Sequence, residues 1–295
     1  MNFQGVWVAT TTFFNQAGAV DLGSFEKHCS WLLDSGVEGL VPCGTTGEGP
    51  TLYAEERKLL IQTAVRLASN KKKEVIAGCG GNNTDSVLKL ILEAKDLGAH
   101  AALVVTPYYN RPTQEGLVAH YQYLADKSPI PLVLYNVPSR TGVNLLPETV
   151  SRLWQHPNIK GLKEATGLHS QWLSLFASPL PEGKSILAGD DDAFATLFSL
   201  GANGIISASA NIIPAQFVQL DSLLRSGKFQ EAFILQKKLS PLIKTLFAET
   251  NPAPLKFALE KMGRGLNQLR LPLVPVQKET QEKIYQQLLS LELVS

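Results

Sequence analysis

Short runs of apolar and β-branched residues recur along the chain, and each is followed by a stretch in which apolar residues take helical spacing. The runs are Val6–Ala9, Gly39–Pro42, Glu74–Ala77, Ala101–Val105, Pro131–Tyr135, Ile159–Lys163, Ser185–Ala188 and Gly204–Ser207. Most are almost continuously apolar instead of alternating, which is the pattern of parallel strands covered on both faces. Between them Phe25, Cys29, Leu32 and Leu33 follow Asp21 or Ser24 as cap and stop at Gly36. Val87, Ile91 and Ala94 follow Thr84 and stop at Gly98, and Leu117, Tyr121 and Leu124 follow Thr113. Such ends are helix start and stop signals. Eight strand–helix units in about 225 residues predict an α/β fold, a closed (β/α)8 TIM barrel. A doubly wound open sheet is the architectural alternative.

Past about Ser226 the strand pattern ceases. Phe229, Ala232 and Phe233 open one helical pattern. Leu255, Ala258, Leu259 and Met262 form a second, with Pro254 near its start and Gly263 past its end, and Ile284, Leu288 and Leu291 form a third. The expected organisation is a barrel over residues 1–225 and a helical extension over 226–295 packed on it, with no linker between them.

Composition narrows the function. The 295 residues are 44% hydrophobic and 18% charged, with 27 Lys+Arg against 26 Asp+Glu. Near-neutral charge leaves no electrostatic footprint for nucleic acid or an anionic membrane, and Lys71–Lys73 reads as a solvated helix exit. No apolar stretch approaches a membrane span, and the N-terminus has no secretory pattern. Cys29, Cys43 and Cys79 are odd in number and widely spaced, which suits buried thiols in a reducing compartment. A cytoplasmic protein is the expectation.

In a TIM barrel the chemistry sits at the C-terminal ends of the strands. The residues that fall there are Gly44-Thr45-Thr46-Gly47-Glu48-Gly49 after the second strand, Thr106–Arg111 after the fourth, and Tyr135-Asn136 through Gly142 after the fifth. Lys163-Glu164 ends the sixth, and Gly189–Asp192 follows the seventh. A period of two puts Ile159, Gly161 and Lys163 on one face. If that face is the interior, an ammonium there is costly unless it deprotonates readily, and such an amine suits Schiff-base chemistry. The alternative is a rim lysine paired to Glu164. Tyr135, Tyr109, Thr45 and Thr46 supply hydroxyls for proton transfer, or else are core and rim residues. Arg140 offers a guanidinium fork for a carboxylate. The glycine-rich segments match no P-loop or dinucleotide fingerprint, so a nucleotide cofactor is not expected. The Asp190–Asp192 run suits a loop and helix cap, and the five histidines lack metal spacing, so no metal site is expected.

These segments together closely resemble the dihydrodipicolinate synthase (4-hydroxy-tetrahydrodipicolinate synthase) family, within the pyruvate-dependent class I aldolases that include N-acetylneuraminate lyase. The resemblance runs the whole chain, through the Gly44, Thr106 and Tyr135 segments, Gly161–Gly167, Gly189–Asp191 and Arg270–Leu273. It implies condensation of pyruvate with L-aspartate 4-semialdehyde in the diaminopimelate route to lysine, through an imine on Lys163 and without any other cofactor. It implies a proton relay of Thr45, Tyr135 and Tyr109, with Tyr109 acting in the neighbouring subunit's site. Thr46, Ile206 and Gly189 fall among the implied pyruvate- and substrate-binding residues, and Arg140 at the aldehyde's carboxylate. A homotetramer, a dimer of dimers, is implied as well. The double threonine and Ser139-Arg140-Thr141-Gly142 distinguish the chain from the sialic acid lyases.

Within the same chemistry the alternative is an aldolase or lyase for a sugar acid or hydroxy-oxo acid. A non-catalytic barrel is the alternative of another class, and it has no need of Lys163, Tyr135, Tyr109 and Thr45 together. Feedback-sensitive relatives use histidines and a glutamate where this chain has Ala54, Arg57 and Ser86, although Asn82 and Tyr108 match. Weak or absent inhibition by lysine is therefore expected.

Overall fold

The computed structural model describes residues 3–294. Eight parallel strands close into a barrel in simple sequential order: β1 (Gly5–Ala9), β2 (Gly39–Val41), β3 (Glu74–Gly78), β4 (Ala101–Val105), β5 (Leu132–Asn136), β6 (Ile159–Glu164), β7 (Ser185–Ala188) and β8 (Gly204–Ser207). The first and last strands pair directly, Trp7 facing Ile206 in register. This is the predicted TIM barrel, and the open-sheet alternative falls.

Helices α1 (Leu22–Asp34), α2 (Ala54–Ser69), α3 (Thr84–Asp96) and α4 (Gln114–Lys127) follow the first four strands in turn. The short α5 (Pro138–Thr141) precedes α6 (Pro147–Leu153), then come α7 (His169–Leu175), α8 (Phe194–Leu200) and α9 (Pro214–Arg225). The caps are those the sequence suggests, with one shift. Asp21 accepts from the Ser24 amide and Thr113 from Gly116, but Asn83, one residue before Thr84, caps α3 by accepting from Ser86. Gly36 and Gly98 take the positive φ that ends α1 and α3.

Strand alternation sorts the core into two. Trp7, Val41, Ile76, Leu103, Val133, Leu187 and Ile206 fill the barrel interior. Val8, Leu40, Val75, Val104, Leu134, Ile186 and Ile205 face the helices. The interior is packed by unequal partners. Trp7 spans it so fully that a Cβ on Gly39 would lie 2.4 Å from the indole, and one on Gly161 would press on Phe3 and Val133. One expectation is corrected here. Ile159 does not share a face with Gly161 and Lys163 but packs in the outer layer. The β5–β6 register slips between Leu132 and Val133, so an extra residue enters β6 and reverses the direction of Ile159.

After α9 the chain is helical: α10 (Phe229–Leu246), α11 (Ala253–Lys261) and α12 (Lys278–Ser290). Helix α10 lies against α8 and α9, and α11 reaches the segment after β8. All three cysteines are free and buried. Burial pushes the thiols up, Cys43 to about 11 and Cys79 to about 12, so they stay protonated. Among the described residues no helix is long and apolar enough to cross a membrane.

Candidate active site

Strand β6 ends on two charged residues that point in opposite directions. Glu164 faces outward and is fully buried. Its carboxylate accepts from the Thr166 amide at 2.8 Å, from Asn136 Nδ2 at 3.2 Å and from Gln171 Nε2 at 3.4 Å. Burial raises its proton affinity while these bonds oppose the rise. Lys163 therefore points inward, and the alternative of a rim Lys163–Glu164 pair falls. Its side chain is 94% buried, being 6% exposed, at the top of the interior layer. Tyr135 on β5 stands opposite it in register, and the Lys163 ammonium lies 4.3 Å from the tyrosine ring centroid. An ammonium against the negative face of a ring is stabilised without a counter-charge. Ile206, wholly buried on β8, belongs to the same interior layer.

The segment between β2 and α2 carries the threonines. Thr46 is buried, Thr45 is half-buried, and the turn is closed by Glu48 N donating to Thr45 O and Gly49 N to Gly44 O. Thr12 Oγ1 donates to Gly47 O at 2.7 Å, pinning the turn to the end of β1. Gly47 and Gly49 are required here: a Cβ on Gly49 would lie 2.4 Å from Cys43 O.

Sequence reasoning missed what holds this loop. Asn251, in the connection before α11, donates Nδ2 to Thr46 Oγ1 at 3.0 Å. Lys256 on α11 donates to Glu48 Oε1, with both side chains wholly buried, and also to Gln268 O at 2.7 Å. Burial pulls the Lys256 ammonium down to about 8, against the opposing pull of Glu48. Nothing in the α11 pattern marks Lys256, because Ala253 to Leu259 are all buried and periodicity cannot separate one buried position from another.

Tyr109 and Arg140 sit on the rim. Tyr109 is 90% exposed with a left-handed φ of 71°, and Arg111 follows at 44°. Arg140 is exposed on α5. Their two loops are joined: Thr106 Oγ1 donates to Thr141 Oγ1 at 3.1 Å, and Arg111 Nε to Gly142 O at 2.9 Å. Within one chain, then, the structure brings Lys163 against Tyr135, keeps Ile206 on the barrel interior and leaves Tyr109 out in solvent.

Gly189 follows β7 and donates its amide to Glu164 O at 2.7 Å. A Cβ there would lie 2.7 Å from Ala165 Cβ, so glycine lets the segment after β7 pack against the end of β6. Beside it, Asp191 accepts from the Ser209 amide at 2.7 Å and begins a 3-10 turn; Asp190 precedes that turn without a side-chain capping bond, so of the expected loop-and-cap role only the loop placement is seen. Burial, then repulsion from Asp191, pushes Asp190 up to about 6, with Lys163 pulling the other way. Among the described residues no group of three or more His, Cys, Asp or Glu is placed to hold a metal ion.

Fold and site together define a (β/α)8-barrel enzyme whose polar centre stands at the strand C-termini, around an interior lysine. The family model described as the Dihydrodipicolinate synthetase family matches residues 2–291. A 4-hydroxy-tetrahydrodipicolinate synthase of Thermodesulfovibrio yellowstonii is 46% identical over 99% of both chains. Among solved structures, the dihydrodipicolinate synthase of Thermotoga maritima superposes with a TM-score of 0.97 at 41% identity, over 100% of both chains. The chloride-inhibited dihydrodipicolinate synthase of Acinetobacter baumannii, complexed with pyruvate, gives 0.95 at 42% identity over 99% of both. The chain belongs to the dihydrodipicolinate synthetase family and is an enzyme of that family.

Asp190 gives a pH test. Its folded-state proton affinity exceeds the ordinary 3.8, so its stabilising contribution is full in acid and is lost as pH rises through about 6. Asp190→Asn removes that loss. Urea unfolding of both proteins between about pH 4 and 7 is expected to show the variant gaining stability relative to the wild type as pH rises. A constant difference across the range rules the buried-carboxylate account out.

Proposed function

We propose that the protein condenses pyruvate with L-aspartate 4-semialdehyde and that Lys163 is the nucleophile. The observation that carries this is the inward, buried Lys163 facing Tyr135 at the mouth of the barrel. The neutral amine attacks the pyruvate ketone carbon, water leaves, and a protonated imine forms. The cationic imine draws electrons, so a methyl proton departs and an enamine results. The enamine carbon bonds to the aldehyde carbon, whose oxygen takes a proton. The amino group of that substrate then attacks the imine carbon, closes the ring and releases the Lys163 amine.

Each remaining residue has a stated task. Tyr135, in register with Lys163, exchanges protons with the forming and breaking imine, with Thr45 next in the relay. Thr46 donates its hydroxyl to the pyruvate carboxylate, because Asn251 already occupies a lone pair of that oxygen. Ile206 walls the pocket and offers its backbone, and Gly189 lets the segment after β7 pack against the end of β6. Arg140 makes no ion pair with any described residue, so its guanidinium is available to the aldehyde's carboxylate. Tyr109 completes the relay in a second subunit. An exposed tyrosine on strained backbone has a reason to persist if a partner covers it. The assembly is then a homo-oligomer built on a dimer that shares sites, a homotetramer in the fuller form, working in the cytoplasm on small substrates. The barrel over 1–225 carries the chemistry, and 226–295 supports it. A sugar-acid or hydroxy-oxo-acid acceptor is the second reading, and Arg140 favours the small carboxylate-bearing aldehyde over it.

Lysine control is weak or absent in this reading. Arg57, where sensitive relatives carry a histidine, is buried and spends its guanidinium on Gly78 O at 2.9 Å, and the exposed Ser86 offers no charge to an ammonium.

Borohydride reduction with pyruvate is expected to add a pyruvate-derived mass at Lys163, and Lys163→Ala to abolish it. Arg140→Ala is expected to keep the adduct while raising the KM for the semialdehyde roughly 100-fold, the scale of about 3 kcal/mol for a lost charge-assisted contact. Equal loss of adduct and condensation removes Arg140 from the aldehyde site. Mixing inactive Tyr109→Phe with inactive Lys163→Ala is expected to restore part of the turnover, since hybrid dimers hold one intact site; no recovery on mixing places Tyr109 in its own subunit's chemistry or outside it. Millimolar lysine is expected to leave turnover unchanged, and half-inhibition below that range overturns the reading of Arg57 and Ser86.

A further inference from the structure

The loop that carries Thr45 and Thr46 contains an unusual choice. Glu48 has a left-handed φ of 52°, a conformation that glycine takes without strain, and glycines stand on both sides of it. The chain instead keeps a carboxylate there and buries it completely. Both oxygens are spent on the C-terminal region: Oε1 accepts from Lys256 Nζ, and Oε2 from the Arg270 amide at 3.1 Å. Lys256 is fixed in turn by Gln268 O and by the face of Phe14, 4.1 Å from its ammonium. Arg270 closes the assembly with bonds to Thr51 O and to both Glu56 oxygens. Strained backbone persists where its surroundings over-determine it, and such places gather at functional sites.

A buried ion pair is a poor way to add stability, since apolar side chains of equal volume serve as well. What it adds is a constraint on position, because any placement of the turn that separates the two leaves a buried charge uncompensated. Here the constraint matters, as Glu48 lies two residues from Thr46 in the same tight turn. We propose that Lys256 and Glu48 are a positioning pair for the reaction: the C-terminal extension, through them, sets the turn so that the Thr45 and Thr46 hydroxyls face bound pyruvate. Neither side chain touches substrate, since both are wholly enclosed. Asn251 is the second tether, acting directly on Thr46 Oγ1. The inference rests on the pyruvate-site reading of the two threonines.

The test separates positioning from folding. Lys256→Met is expected to raise the pyruvate KM and slow borohydride-trapped adduct formation by roughly 10- to 100-fold, the usual cost of a misplaced contact, while the semialdehyde KM stays unchanged. The double variant Glu48→Gln with Lys256→Met leaves no buried charge unpaired. It is expected to recover the wild-type melting temperature but not the wild-type pyruvate KM. Asn251→Ala is expected to raise the pyruvate KM without lowering the melting temperature, and it serves if Lys256→Met fails to fold. Recovery of the pyruvate KM together with stability in the double variant overturns the proposal, as does a wild-type pyruvate KM in folded Lys256→Met or in Asn251→Ala. Failure of the wild-type protein to trap pyruvate at all has a different meaning: it removes the pyruvate-site reading itself.

Discussion

Closing eight parallel strands onto one another leaves each side chain only two directions, into a narrow interior or out toward the helices, and the rest of this molecule follows from that choice. The interior admits few large groups. Trp7 and Phe3 take most of the lower space, and Gly39 and Gly161 yield it to them. Lys163 and Tyr135 stand at the barrel mouth, buried with their polar ends among the strand C-termini. The extra residue near the start of β6 is where this geometry is adjusted, turning Ile159 outward without disturbing the inward aim of Gly161 and Lys163.

The same constraint explains why adjacent charges at the end of β6 lead separate lives. Glu164 is directed out of the barrel into a set of amide donors, and Lys163 is directed in, against an aromatic face. The lysine is thereby held inside the barrel mouth, against the Tyr135 ring and apart from the Glu164 carboxylate. The outer loops then divide the remaining work. Hydrogen bonds between the β4 and β5 connections hold Tyr109 and Arg140 on one rim, and the C-terminal helices hold the Thr45–Thr46 turn on another.

Much of this was legible from residues alone. The eight apolar runs, the caps at Asp21 and Thr113 and the stops at Gly36 and Gly98 were local signals that the fold had no reason to override. That Lys163 and Tyr135 would stand together was legible because adjacent strand ends in a barrel lie side by side. Lys256, Asn251 and the role of Glu48 were not. Their significance lies in contacts across some 200 positions of chain, and a lysine in a helix carries no mark of the carboxylate it will meet. Ile159 misled because a period of two assumes an unbroken ladder, and a bulge leaves no trace in four or five residues of sequence.

The sequence by itself determined the elements, their order, the closed barrel and the residues with chemistry to offer, since propensity, periodicity and capping act over a few neighbouring positions. Tertiary structure alone decided which of two adjacent charges is interior, where the β6 register slips, and that a distant helix reaches back to grip the threonine turn. Those outcomes depend on the burial of charge and on distances between segments remote in the chain, and both come into being only when the barrel closes and the last helices pack on it.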